Sequence, residues 1–193
     1  MSLINLKSLL EAFNISNLKV KKLKFKDLLL IKSNINIDNR GFFVKPYSNF
    51  KKNLHLEIDE IYYSISKKNV LRGIHFQKPP FHCTKLIYVI KGSVLDVLVD
   101  LRLNSPTFKQ VISLVLSENE NALLIPPGIG HGFLSLKNGT IMVYNQSKVY
   151  NKKYDDGVLW SSINFDWNIQ KPILSDRDKN FQSIDQLQNT FNF

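Results

Sequence analysis

Between residues 61 and 150 the chain breaks into short apolar-rich runs separated by turn residues, with no helical period between them. Candidate strands cover 61–66, 85–90, 94–100, 110–116, 121–125, 132–135 and 140–149. The breaks are Lys91-Gly92, Asn104-Ser105-Pro106, Pro126-Pro127-Gly128 and Asn138-Gly139, the last being the strongest hairpin signal in the chain. Many short strands without intervening helices restrict such a chain to an all-β sandwich or barrel. A length of 193 residues fits one domain, with a helical extension over 1–17, a barrel over 18–170 and a tail over 171–193.

The ends read differently from the middle. Leu3, Ile4, Leu6, Leu9, Leu10 and Phe13 have helical spacing, with Ser2 as a cap. Leu18, Val20, Leu23 and Phe25 alternate with lysines as an edge strand does. Asp38, Asn39 and Gly41 mark a turn, and a short helix is expected near 183–189.

Charge narrows the partners. Lys and Arg number 26 against 16 Asp and Glu, a net +10, which favours an anionic partner. The cluster Lys19, Lys21, Lys22, Lys24 and Lys26 reads as a solvated face, so no nucleic-acid partner is expected. A single cysteine, Cys83, allows no internal disulfide and fits a reducing compartment. No leader-like segment and no membrane-length apolar run of about 18 residues is found, so a soluble cytoplasmic protein is expected.

Three segments carry chemistry: Leu71-Arg72-Gly73-Ile74-His75-Phe76-Gln77, Val99-Asp100-Leu101-Arg102, and residues 125–133 around His131. On a strand Gly73, His75 and Gln77 share a face, which would turn His75 into the barrel. Such a histidine is a candidate catalytic centre, and equally a satisfied structural one, the reading kept for His55 and His82. Asp100 and His131 can form a functional or a purely structural pair, and Tyr144 and Tyr150 fit strand packing as well as chemistry. Residues 126–131 also match Pro-x-Gly-x-x-His, which resembles the second motif of metal-binding cupins. Upstream, however, Thr84 and Tyr88 stand where a second His and a Glu would be needed. No metal is expected.

Taken together, ordered matches identify a resemblance to the dTDP-4-dehydrorhamnose 3,5-epimerase family from about Ile35 to Ile184. They include Asp38-Asn39-Arg40-Gly41-Phe42-Phe43, Ser64-Ile65-Ser66, Val70 to Gln77 followed by Pro79-Pro80, Val99 to Arg102, and Ser105-Pro106-Thr107-Phe108. Further on come residues 125–133, Tyr144 with Tyr150, Gly157-Val158-Leu159-Trp160, and Leu174-Ser175-Asp176-Arg177-Asp178. The resemblance implies a double-stranded β-helix (cupin or jelly-roll) barrel with short terminal helices. It implies cofactor-independent inversion at C3, C5 or both of a nucleotide-linked 4-keto-6-deoxy sugar, serving cell-surface polysaccharide synthesis.

In that scheme His75 is the base, Asp178 orients it, Tyr144 is the acid and Lys85 stabilises the enolate. Arg72, Gln77, Arg40 and a His131–Asp100 pair contact substrate. The family is dimeric through an exchanged N-terminal strand, so a homodimer is expected, with 18–31 as the edge involved. Four further positions expected to contact substrate depart from the family pattern: Lys45 for Glu, Glu60 and Tyr62 for Gln-x-Asn, and Asn145 for Lys. The carboxylate of Glu60 suits the adjacent N–H donors of guanine, which raises a GDP-linked sugar, a heptose included, beside the dTDP-linked one. A 3,4-ketoisomerase and a non-catalytic sugar-nucleotide-binding cupin are the alternatives.

Overall fold

The computed structural model describes residues 19–32, 35–47, 56–188 and 191–192. The helix expected over 3–13, its Ser2 cap and His55 lie outside the described residues. In chain order the strands are β1 (Lys19–Lys22), β2 (Leu29–Lys32), β3 (Ile35–Asp38), β4 (Gly41–Val44), β5 (Glu60–Ser66), β6 (Leu71–Gln77) and β7 (Lys85–Lys91). They continue as β8 (Ser93–Asp100), β9 (Val111–Ser117), β10 (Asn121–Ile125), β11 (Ile129–Ser135), β12 (Thr140–Gln146) and β13 (Asp155–Gly157), followed by the short helix α1 (Asp176–Lys179).

One sheet has the order β1-β2-β10-β7-β12-β5 and the other β13-β6-β11-β8-β9. Neighbouring strands in both are antiparallel. The architecture is the all-β cupin barrel that the resemblance implied. The hairpin β3–β4 pairs only with itself.

Period-two alternation explains the layering. Ile87 and Val89 of β7, Val94 and Leu98 of β8, Leu123 and Ile125 of β10, and Phe133 of β11 form the core cluster that also holds Tyr144. The other face of β8 buries Val97 and Val99 beneath Val158, Ile163, Trp167, Ile184 and Phe191, so the C-terminal segment roofs the second sheet. Buried on both faces, β8 reads as a continuous apolar run, and its in-facing Asp96 and Asp100 are exceptions that need partners. On the first sheet's outer face, Leu29 and Ile31 cover Leu86, Ala122 and Leu124. The edge strand β5 instead leaves Ile61, Tyr63 and Ile65 exposed on that side.

The seven expected strands correspond to β5 and β7 to β12, and the run 71–77 is β6. The expected strand 140–149 stops at Gln146, and β1, not β2, forms the sheet edge within 18–31. No helix forms at 183–188. There the Ser183 N–H and hydroxyl are taken by Gln186 Oε1, closing a single turn. The helix sits earlier, at Asp176, where Ser175 Oγ accepts the Asp178 N–H as an N-cap.

The alternation breaks within β6, with consequences for function. Arg72 and His75, three residues apart, both face the barrel interior. Between them Gly73 adopts φ +135°, and a Cβ there would run into Gly132 Cα and meet His131 O at 3.1 Å. At this crossing the β6–β11 register shifts between His131 and Phe133. Gly73→Ala combines overpacking against backbone with an unfavourable φ, and should cost about 3 kcal/mol. Urea unfolding of that variant checks it, and a loss below about 1 kcal/mol would show that the crossing can relax.

Candidate active site

The mouth of the barrel holds a cavity of about 480 Å³ lined by side chains from both sheets. From β5 come Glu60, Tyr62 and Ser64 at period two, with Tyr63 also reaching the cavity, and from β12 Tyr144 and Gln146. Strand β6 gives Arg72, His75 and Gln77, β7 gives Lys85, and β11 gives His131 and Phe133. Tyr150, Asp155 and Arg177 complete the rim.

His75 Nε2 lies 2.6 Å from Asp178 Oδ1, which leaves Nδ1 as the nitrogen able to take a proton. The carboxylate comes from α1, at the end of the segment that roofs the second sheet. Burial lowers the His75 pKa below the ordinary histidine value, against the upward pull of Asp178. Burial alone would raise the pKa of Asp178, yet its bonds with His75 and the Gly73 N–H hold the carboxyl below the usual range. Phe181 packs edge-on against the His75 ring at 5.7 Å and carries the Arg177 guanidinium over its own face.

Tyr144 is buried, and burial raises its pKa, so the phenol keeps its proton through neutral pH. Its hydroxyl is 3.5 Å from Ser64 Oγ. Arg177 pairs with Asp155 at 2.6 Å, and Glu60 Oε2 accepts from Gln146 Nε2 and the Tyr150 N–H. Among the described residues neither Lys85 nor Arg72 forms an ion pair. The cavity therefore holds two cations without an ion-pair partner among the described residues, beside an imidazole and a protonated phenol. That set can remove a proton, hold the resulting oxyanion and return a proton.

The structure thus brings His75, Tyr144, Lys85, Arg72, Gln77, His131, Glu60 and Tyr62 to one cavity, with Asp178 behind His75. The amide of Gln77 is committed to backbone: it donates to Phe81 O and Val149 O and accepts from the Asn151 N–H. Two expectations need correction, the partner of His131 and the placement of Asn145. His131 pairs with Asp96 at 2.8 Å, not with Asp100. His131 sits opposite Leu98, so both aspartates are diagonal neighbours, but Asp100 is occupied by Arg102, Ser105 and Thr107. Asp100 is fully buried and anchors the loop that follows β8, away from the cavity.

Asn145 faces the opposite side of β12 from Tyr144 and donates to Leu86 O, as alternation requires. Arg40 and Lys45 lie on and just after the self-paired β3–β4 hairpin and do not line the cavity. Arg40 is paired with Asp38, and Lys45 lies over the Phe43 ring. Gln146 escaped the sequence reading, although it stands two residues from Tyr144, and Ser64 was read only as part of a matched segment. Asp155 gave no such signal. Among the described residues no group of three or more His, Cys, Asp and Glu is placed to hold a metal ion.

Comparison with known proteins matches this geometry. A family profile described as dTDP-4-dehydrorhamnose 3,5-epimerase matches residues 22–186. A Shigella flexneri protein of that name is 38% identical over 174 residues, covering 86% of this chain and 96% of its own. The crystal structure of dTDP-4-dehydrorhamnose 3,5-epimerase from Bacillus anthracis, with TDP and PPi bound, superposes with a TM-score of 0.82. Its identity is 37%, over 86% of this chain and 99% of that one. The Legionella pneumophila dTDP-6-deoxy-D-glucose-3,5-epimerase, in complex with dTDP-4-keto-L-rhamnose, gives 0.85 at 27% identity, over 92% of this chain and 99% of that one.

Proposed function

The chain belongs to the dTDP-4-dehydrorhamnose 3,5-epimerase family, and on that footing we propose that it inverts C3, C5 or both of a dTDP-linked 4-keto-6-deoxy sugar. The observation that carries the mechanism is the His75–Asp178 dyad at 2.6 Å, sharing a cavity with the protonated Tyr144 phenol and the unpaired Lys85. A ketone at C4 acidifies the neighbouring C–H bonds. His75 Nδ1 takes one proton, and Asp178 steadies the imidazolium. The electron pair moves to the ketone oxygen, where Lys85 offsets the enolate charge. Tyr144 returns a proton to the opposite face and the ketone re-forms. The product would serve synthesis of a cell-surface polysaccharide.

One observation favours a second reading of the base. Glu60 is a pure acceptor at the rim, hydrogen-bonded to the backbone of Tyr150. Guanine offers a carboxylate two adjacent N–H donors, whereas thymine flanks its single N–H with carbonyl oxygens. A GDP-linked hexose or heptose is therefore the competing substrate. Proton NMR in D₂O, with dTDP- and GDP-linked 4-keto-6-deoxy sugars side by side, should show deuterium entering at C3 or C5. The faster nucleotide names the base. His75→Asn should slow that exchange by about 10²- to 10⁴-fold with the fold intact, and exchange at the wild-type rate would remove His75 from the mechanism.

The pH profile follows from the two shifts. The base works only when neutral, and its pKa is lowered, so activity is retained above the ordinary histidine value of about 6.5 and lost below it. The acid works only when protonated, and its pKa is raised, so the alkaline limb lies beyond the ordinary tyrosine value of about 10. kcat/KM measured from acid to alkaline pH should show this wide plateau, and an acid limb above about 7 would contradict a buried neutral base.

We also propose a homodimer. Ile61, Tyr63 and Ile65 on β5, with Ile37, Phe42 and Phe43 on the β3–β4 hairpin, leave large apolar side chains exposed on a single chain. A second copy is the occupant that the family resemblance suggests, and the hairpin would carry Arg40 and Lys45 toward the partner's cavity. Light scattering should give twice the chain mass, and Tyr63→Asp combined with Phe42→Asp should reduce it to one. A monomeric wild type would sink the proposal.

A further inference from the structure

Tyr62 and Tyr144 occupy directly opposed positions on β5 and β12. Their rings stack with centroids 4.7 Å apart and planes inclined by 11°. The ring of His131 also meets Tyr144, edge-on, at 6.4 Å. Tyr62 is 39% exposed and Tyr144 is buried, so Tyr62 forms the outer leaf of the stack. Its hydroxyl reaches Gln146 Oε1 at 3.5 Å, and Gln146 in turn donates to Glu60 at 2.6 Å. The Tyr144 hydroxyl lies equally far, 3.5 Å, from Ser64 Oγ, so among the described residues neither hydroxyl holds its ring through a short hydrogen bond. A phenol with one long hydrogen bond is aimed by what packs on its ring.

The geometry points to Tyr62 as a positioning residue for Tyr144: its stacked ring fixes where the acid delivers its proton, and so controls inversion separately from proton removal. This rests on the reading that His75 removes the proton and Tyr144 returns it. With Tyr144 aligned, its O–H bond breaks, the proton bonds to the opposite face of the carbon, and the phenolate keeps the electron pair. With Tyr144 out of line, the enolate is still formed by His75. In D₂O the imidazolium exchanges its proton for deuterium and returns a deuteron to the face it came from. The ketone re-forms with unchanged configuration and a label.

The experiment compares Tyr62→Ala, Tyr62→Phe and Tyr144→Phe with wild type, using a dTDP-linked 4-keto-6-deoxy sugar in D₂O, or its GDP-linked counterpart if that is the one turned over. Proton NMR reads label in recovered substrate and formation of epimer. Tyr62→Ala should slow inversion about ten- to hundredfold while label enters substrate within about threefold of the wild-type rate. Tyr62→Phe keeps the stack and should stay within about threefold in both. Wild-type inversion in Tyr62→Ala would overturn the inference. So would inversion and labelling falling together, or Tyr62→Phe failing as badly as Tyr62→Ala, which would assign the effect to the hydroxyl. Tyr144→Phe keeps the two levels apart. Inversion that survives in it refutes the acid assignment itself, whereas its loss beside a normal Tyr62→Ala refutes only the role of Tyr62.

Discussion

Where β6 crosses β11, two glycine backbones touch, and no side chain can stand between them. Gly73 meets Gly132, and the paired register slips at that point. A regular strand would have sent Arg72 and His75 to opposite faces. The slip turns both inward and leaves His75 opposite His131. The Gly73 N–H also reaches Asp178, so one irregularity sets the direction of His75 and supports the carboxylate it pairs with. Both histidines therefore depend on a contact that contains no functional group.

Around that crossing the barrel separates two tasks. Its apolar clusters lie between the sheets and under the C-terminal segment, where burial provides stability. The mouth is lined by polar groups that would be costly in a closed core, and most of them are held by a neighbour. Lys85 and Arg72 are the cations without an anionic partner among the described residues. Edge strand β5 shows the division most plainly, with Glu60, Tyr62 and Ser64 turned inward and Ile61, Tyr63 and Ile65 turned out.

The architecture was legible because short apolar-rich runs recur without a helical period and the breaks between them carry Gly, Pro or Asn. The dyad was legible only through family resemblance, since nothing local in Leu71–Gln77 points to a carboxylate on a distant short helix. The partner of His131 could not be read at all. Asp96 and Asp100 share a face of β8, and the choice falls to Arg102, Ser105 and Thr107, which occupy Asp100 first. Arg40 and Lys45 lie outside their own chain's cavity, a placement that residue type alone does not indicate.

The pairing of His75 with Asp178 spans 103 residues. Synthesis runs from the N-terminus, so every strand of both sheets leaves the ribosome before the carboxylate does. The nascent barrel can close around an imidazole that still lacks its counter-charge. Docking of the C-terminal segment can then complete the second core cluster and the His75–Asp178 pair together.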